Sequence, residues 1–295
     1  MRAELDEIAQ RKRGTDMKNI KKILFPVDFS DRCRGTAAFV EAVAGRFNAE
    51  VLILHVVPPM PEAYYPMAAS NPDFCNAELK IFLAGHFSYL PVRRMLAFGD
   101  PAAKIIETAR AENVDLMMMP THGYGPFRRF LLGSVVGKVL CDAECPVWTG
   151  VHMEEAPPLD KIEFRRIACA VELDEKGKKT LKQAFEISEE YGAALTVVHA
   201  IPATEVRPDK YVETEFRNAL MDDARKELEA ILHSARIAAT ICVGAGEIAK
   251  VVCSAALNHK ADLLVIGRSS PGLLRRLRTH GYGIVRESPC PVLSL

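Results

Sequence analysis

The chain reads twice. KKILFPVDFS at 21–30 is answered by RRIACAVELD at 165–174, and EVLILHVVP at 50–58 by ALTVVHAIP at 194–202. PAAKIIETARAENVDLMMMP at 101–120 is answered by EIAKVVCSAALNHKADLLVIG at 247–267, and ECPVWTG at 144–150 by PCPVLSL at 289–295. Blocks that recur in one order mean that a duplication built the chain, so both copies share a fold. The repeat, about 145 residues, is too long for a solenoid unit and suits a complete domain. A length of 295 residues holds two such domains, each with its own core. The expected organisation is a flexible tail at 1–20, a first domain at 21–150, a linker at 151–164 carrying Pro157 and Pro158, and a second domain at 165–295.

Within a copy, short apolar runs alternate with helical periods. Ile23–Val27, Val51–Val57, Val92–Phe98, Leu116–Met119 and Pro146–Thr149 lack polar alternation, as strands buried on both faces of a parallel sheet do. Phe39, Val43 and Phe47 recur at helical spacing, as do Leu181, Ala184, Phe185 and Ser188 in copy two, and Phe216 to Ile231 on a longer helix. Right-handed crossovers between such strands give an α/β fold: two tandem, doubly wound, five-stranded parallel sheets. The stretch 58–90 is the irregular part of copy one, with a short helix expected from Asn76 to about Leu90. It reads either as a lid over a ligand or as a shortened crossover.

Charge and cysteines narrow the function. Lys plus Arg and Asp plus Glu number 38 each, so no global field draws nucleic acid or anionic membrane, and an anionic ligand must be held locally. No run of eighteen apolar residues suggests a membrane span, and the first twenty residues lack the apolar stretch of a signal peptide. Arg11, Lys12 and Arg13 read as a basic arm or as part of a flexible tail, with Met17 an alternative start. Eight cysteines, at 33, 75, 141, 145, 169, 242, 253 and 290, lie in apolar surroundings without C-x-x-C or Cys/His ligand spacing. Reduced thiols, a cytoplasmic location and no resident metal follow as expectations.

In a doubly wound sheet, ligands sit beyond the C-terminal strand ends, where strand order switches. Two loops of copy one belong there. FPVDFSD carries Asp28 at the exit of the first strand and Ser30 in position to cap the next helix. MPTHGYGPFRRFLLGSVVGKVL follows the fourth strand; Gly123, Gly125 and Gly133 permit positive φ and close backbone approach, and Gly133-Ser134 opens a helix through Val135, Val136 and Val139. A helix N-terminus offers unpaired N–H groups and positive dipole charge, an anion site. Phosphate at 123–135 and sugar hydroxyls at Asp28 are the expected ligand groups.

At these residues the chain resembles the universal stress protein family, whose nucleotide loop reads G-x-x-G, nine residues, then G-[S/T]. Copy one has Pro120-Thr-His-Gly123, nine residues, and Gly133-Ser134. ILFPVDFS, LHV at 54–56, GDP at 99–101, VDL at 114–116 and CPV at 145–147 resemble the family too, across 21–150 and 165–295. The resemblance implies a Rossmann-like, adenine-nucleotide alpha-hydrolase-like fold and ATP or a related adenine nucleotide, with or without Mg, in copy one. Pro26, Asp28 and Val56 would line adenine and ribose, Met119, Pro120 and Gly123 would frame sugar and phosphates, and Gly133, Ser134 and Val135 would donate to the phosphates. Proline at the motif's first glycine removes an N–H. The family also implies pairing through the terminal strand, here as an intrachain pseudo-dimer, with a further homodimer open.

Copy two departs further. Glu172 stands at Asp28 and Ala200 at Val56, Gly267 and Ser270 hold the G-x-x-G positions, and either Arg278-Thr279 or His280-Gly281 answers Gly133-Ser134. A degenerate copy is expected. His55 and His199 read as backbone-bonded core histidines, His122 as a loop-stabilising residue, and Arg128-Arg129 and Arg275-Arg276 as either phosphate neutralisers or a solvated face. Ser134 sits on no nucleophile elbow, the loop lacks a P-loop lysine, and the third glycine of a dinucleotide fingerprint is missing. The expectation is a nucleotide-binding stress sensor or regulator rather than an enzyme. The alternatives are a nucleotide-free dimerisation scaffold and a slow ATP hydrolase.

Overall fold

The computed structural model describes residues 17–59, 72–121, 132–150, 158–202, 210–268 and 280–295. Copy one runs β1 (Lys22–Val27), α1 (Asp31–Phe47), β2 (Glu50–Val57), α2 (Pro72–Ile81), β3 (Val92–Phe98), α3 (Pro101–Ala111), β4 (Leu116–Pro120), α4 (Ser134–Asp142) and β5 (Val147–Gly150). Copy two repeats the order: β6 (Arg166–Ala170), α5 (Glu175–Tyr191), β7 (Ala194–Pro202), α6 (Lys210–Ala235), β8 (Thr240–Gly246), α7 (Ile248–Asn258), β9 (Leu263–Ile266), α8 (His280–Glu287) and β10 (Val292–Ser294).

The strands form one ten-stranded sheet ordered β3-β2-β1-β4-β5-β10-β9-β6-β7-β8. Each half is parallel, and its order reverses between the first and fourth strands. The halves join through antiparallel β5 and β10, where Trp148 faces Leu293, Thr149 faces Val292 and Val147 faces Ser294. Trp148 and Leu293 are equivalent residues, so the pseudo-two-fold passes between them. The two copies thus pair within one chain through their terminal strands, as the family resemblance implied.

Apolar side chains pack on both sheet faces. One core lies under α1, α2, α5 and α6, the other under α3, α4, α7 and α8, and each runs across the junction. Met17 and Ile20 are buried in the first core. The expected flexible tail therefore does not reach residue 20: two apolar side chains near the junction gain more from burial than from freedom. From the linker, Phe164 is buried with its ring edge-on to Tyr191, centroids 5.2 Å apart, while 151–157 lie outside the described residues.

α2 differs from expectation. It ends at Ile81 rather than near Leu90, because Leu83 and Phe87 take left-handed φ of 58° and 61° and turns replace the helix. Glu41 on α1 holds that turn, accepting from the Phe87 N–H (3.0 Å) and lying 3.1 Å from His86 Nδ1. Leu79, Phe82, Leu83 and Phe87 are buried in the α1-side core, so the described part of 58–90 is a shortened crossover.

Two motif fragments turn out to be structural. In GDP, Gly99 takes φ +137° and Asp100 caps α3 by accepting from the Ala103 N–H (2.8 Å), with Pro101 in the first turn. In VDL, the Asp115 carboxylate accepts from the N–H groups of Lys21 and Lys22, both at 2.9 Å. Asp262 does the same for Arg165 and Arg166 in copy two. Each aspartate ties the entry of the first strand to that of the fourth and so fixes the pair that frames the switch point.

Candidate functional site

A cleft of about 300 Å³ opens at the switch point of copy one. Pro26 enters it from β1, Asp28 from the loop that follows, Val56 from β2, Met119 and Pro120 from β4, and Gly133, Ser134 and Val135 from the start of α4. Eight of the nine residues expected at the site are thus brought together; Gly123 lies outside the described residues, as do His122, Gly125 and the Arg128-Arg129 pair. Leu54, His55, Cys33 and Ile105 also line the cleft and were not anticipated there as lining.

Asp28 is held from its own loop. Its Oδ1 accepts from the Ser30 N–H (3.1 Å), the Ser30 hydroxyl (2.5 Å) and the Cys33 thiol (3.1 Å). Ser30 occupies the cap position of α1 but makes no side-chain cap bond there; its hydroxyl turns to Asp28, the stronger, charged acceptor. Burial, with the Asp28 charge second, pushes the Cys33 thiol far up, so this sulfur acts as a donor and not a nucleophile.

Between Asp28 and Ser30, Phe29 takes φ +63°, a conformation that costs a bulky side chain about 1–3 kcal/mol. Its ring is fixed against His55 (centroids 4.2 Å) and Phe82 (5.1 Å). His55 Nδ1 lies 2.8 Å from the Val27 carbonyl, and His199 repeats the bond to Val171 at 2.9 Å. A carbonyl only accepts, so each Nδ1 carries the proton. Both histidines are backbone-bonded, as their apolar surroundings suggested.

The anion end is α4. Gly133 has φ −59°, so no positive φ requires glycine there. Its N–H donates to the Thr121 carbonyl at 3.1 Å, which takes it out of the expected set of phosphate donors. Among the described residues no side chain caps this helix, leaving the first-turn N–H groups of Ser134, Val135 and Val136. Buried Leu132 and Val136 anchor the turn from below while Ser134 is exposed. A carboxylate acceptor, apolar walls from Pro26, Leu54, Val56, Ile105 and Met119, and uncapped helix donors suit a ligand with hydroxyls, a flat apolar group and an anionic tail. Among the described residues, no cluster of three His, Cys, Asp or Glu side chains offers a metal site.

The equivalent cleft in copy two holds about 150 Å³. Glu172 and Ala200 line it, but Gly177 takes the place of Cys33, and a Cβ added there would lie 1.8 Å from the Glu172 carbonyl oxygen. The β6–α5 loop has closed onto the helix. A Cβ on Gly267 would likewise meet the Thr180 hydroxyl at 2.7 Å. Pairing of Met117 with Val147 and of Leu264 with Val292 aligns the two ends, and counting back sets Arg278-Thr279 against Gly133-Ser134. That pair lies outside the described residues.

The model of the universal stress protein family matches residues 19–149 and again 163–295. A universal stress protein of Methanocaldococcus jannaschii is 31% identical over 135 residues, covering 43% of this chain and 79% of its own. One of Thermus aquaticus is 33% identical over 132 residues, covering 43% and 96%. Among solved structures, a universal stress protein from Archaeoglobus fulgidus aligns with a TM-score of 0.71 at 18% identity, over 94% of this chain and 96% of its own. A functionally unknown protein from Pseudomonas aeruginosa gives 0.66 at 16%, over 95% and 93%. Likeness at such identities is one of fold.

Proposed function

The chain belongs to the universal stress protein family, once in each copy, and from that premise we propose that it binds ATP or a related adenine nucleotide in the copy-one cleft. Asp28 receives the ribose hydroxyls, Pro26, Val56 and Met119 flank adenine and sugar, and the N–H groups of Ser134 and Val135 meet the phosphates, with or without Mg. Pro120 and Gly123 complete the frame. The observation that carries this reading is the convergence of an uncapped helix N-terminus and a held carboxylate on one apolar cleft at the switch point.

The protein then acts as a stress-response regulator rather than as a catalyst, with nucleotide occupancy as its signal. Eight free cysteines, six of them buried, support a reducing, cytoplasmic setting. No described helix is long and apolar enough to cross a membrane, and the balanced charge favours neither membrane nor nucleic acid as partner. The continuous sheet through β5 and β10 supports a second reading, a nucleotide-free scaffold.

Mass spectrometry of small molecules released from the denatured, purified protein, followed by thermal melts, separates the two. ATP at a hundred times its dissociation constant stabilises a binder by ~2.7 kcal/mol. No released nucleotide and an unchanged melting temperature at millimolar ATP leave the scaffold.

A further inference from the structure

We propose that copy two is the brace of the copy-one site, with Tyr282 as the residue that positions the N-terminus of α4 for an anion. The inference rests on the nucleotide reading and adds to it a role for the eroded copy. Tyr282, on α8, donates its hydroxyl to the Leu132 carbonyl at 3.0 Å. Leu132 is the residue before Gly133-Ser134, so the bond falls on the peptide that leads into the donor turn. The Tyr282 ring crosses α4 at Gly137, where an added Cβ would lie 3.5 Å from its Cε2.

The far end of the same helix is also held. Arg268 donates from Nη1 to the carbonyl of Ala143, the C-cap of α4, at 2.8 Å, and from Nη2 to that of Cys145 at 2.7 Å. A guanidinium there satisfies carbonyls that the helix leaves unpaired and complements the negative end of its dipole. Copy two therefore grips α4 at both ends, while Thr121 of copy one ties down the Gly133 N–H between them.

The grip runs one way. β1 pairs Ile23 with Leu116 and β6 pairs Ile167 with Leu263, so Arg268 is the equivalent of Thr121. The helix alignment makes Tyr282 the equivalent of Gly137. Copy one thus carries threonine and glycine where copy two carries the two bracing side chains, and cannot return the contact. Two side chains that copy one lacks at the equivalent positions, Arg268 and Tyr282, are the ones that stiffen the cradle in copy one. Donors already fixed in direction need no ordering when an anion arrives.

The test uses the full-length chain with Tyr282→Phe, which keeps the ring and removes the hydroxyl. Hydrogen exchange of the ligand-free protein is read at the Gly137, Lys138 and Val139 amides, and calorimetry compares adenosine with ATP. The expected results are exchange raised by roughly 3–10-fold at those amides, ATP binding weakened by about 3–10-fold and adenosine binding unchanged, the worth of one hydrogen bond. Unchanged exchange overturns the brace whatever the nucleotide does. Raised exchange with equal losses for adenosine and ATP overturns the positioning of the anion site. A wild-type chain that binds neither ligand overturns the nucleotide reading and the positioning with it, and exchange then still decides the brace.

Discussion

At the residue scale, a Cβ built on Gly177 would sit 1.8 Å from the Glu172 carbonyl oxygen, and Glu172 N and C lie within 3.0 Å of it as well. Backbone cannot yield there, so Gly177→Ala is expected to destabilise the fold by about 3 kcal/mol or more, the cost of overpacking. Gly192 is the control: it caps α5 at φ +62° with nothing within 4 Å of an added Cβ, so Gly192→Ala meets only backbone strain, about 1–2 kcal/mol. Urea midpoints that fall further for Gly192→Ala than for Gly177→Ala would contradict the closed loop.

The buried thiols make a second residue-scale prediction. Burial pushes Cys145 and Cys290 from 9.0 up to about 11. Between those values the unfolded chain gives up thiol protons that the folded chain keeps, so their contribution, full below pH 9, is lost as pH rises to 11. The urea midpoint should fall across that window; a midpoint that rises would reverse the sign.

Elements depend on contacts that their own sequence only partly announces. The strands were legible because residues buried on both faces leave unbroken apolar runs, and the starts and ends of β1 to β5 fall within one residue of those runs. The end of α2 was not, since Leu83 and Phe87 are ordinary helix-compatible residues and only packing on α1 puts them in left-handed turns. At the site, the glycine loop and Asp28 announced themselves by type and the Ser30 and Cys33 donors lie two and five residues beyond Asp28, whereas the Tyr282 and Arg268 brace depends on partners more than a hundred residues away that no local pattern encodes. Asp115 reads as family signature, yet it and its copy-two counterpart Asp262 each close two strand-entry N–H groups. Asp115→Ala and Asp262→Ala should each cost about 1–3 kcal/mol of unfolding free energy, one hydrogen-bonded charge removed. Loss of ATP binding without loss of stability in Asp115→Ala would instead make it a ligand residue.

As a whole molecule, the protein has one sheet and two cores that both cross the β5–β10 junction, so the copies should unfold together. The only tryptophan, Trp148, reports that junction: it is 2% exposed, opposite Leu293 and 5.4 Å from the Phe39 ring. Its fluorescence and far-UV circular dichroism are expected to trace one coincident urea transition; a separate, earlier change in fluorescence would mean that the junction opens before the domains do. The central claim, one nucleotide site in copy one held by a brace from copy two, is met most directly by the stoichiometry of ATP binding in calorimetry on the full-length chain. The account predicts one ATP per chain for the wild type and none for Gly133→Val, whose branched side chain obstructs the approach to α4. Two ATP per chain, or one that survives Gly133→Val, would contradict it.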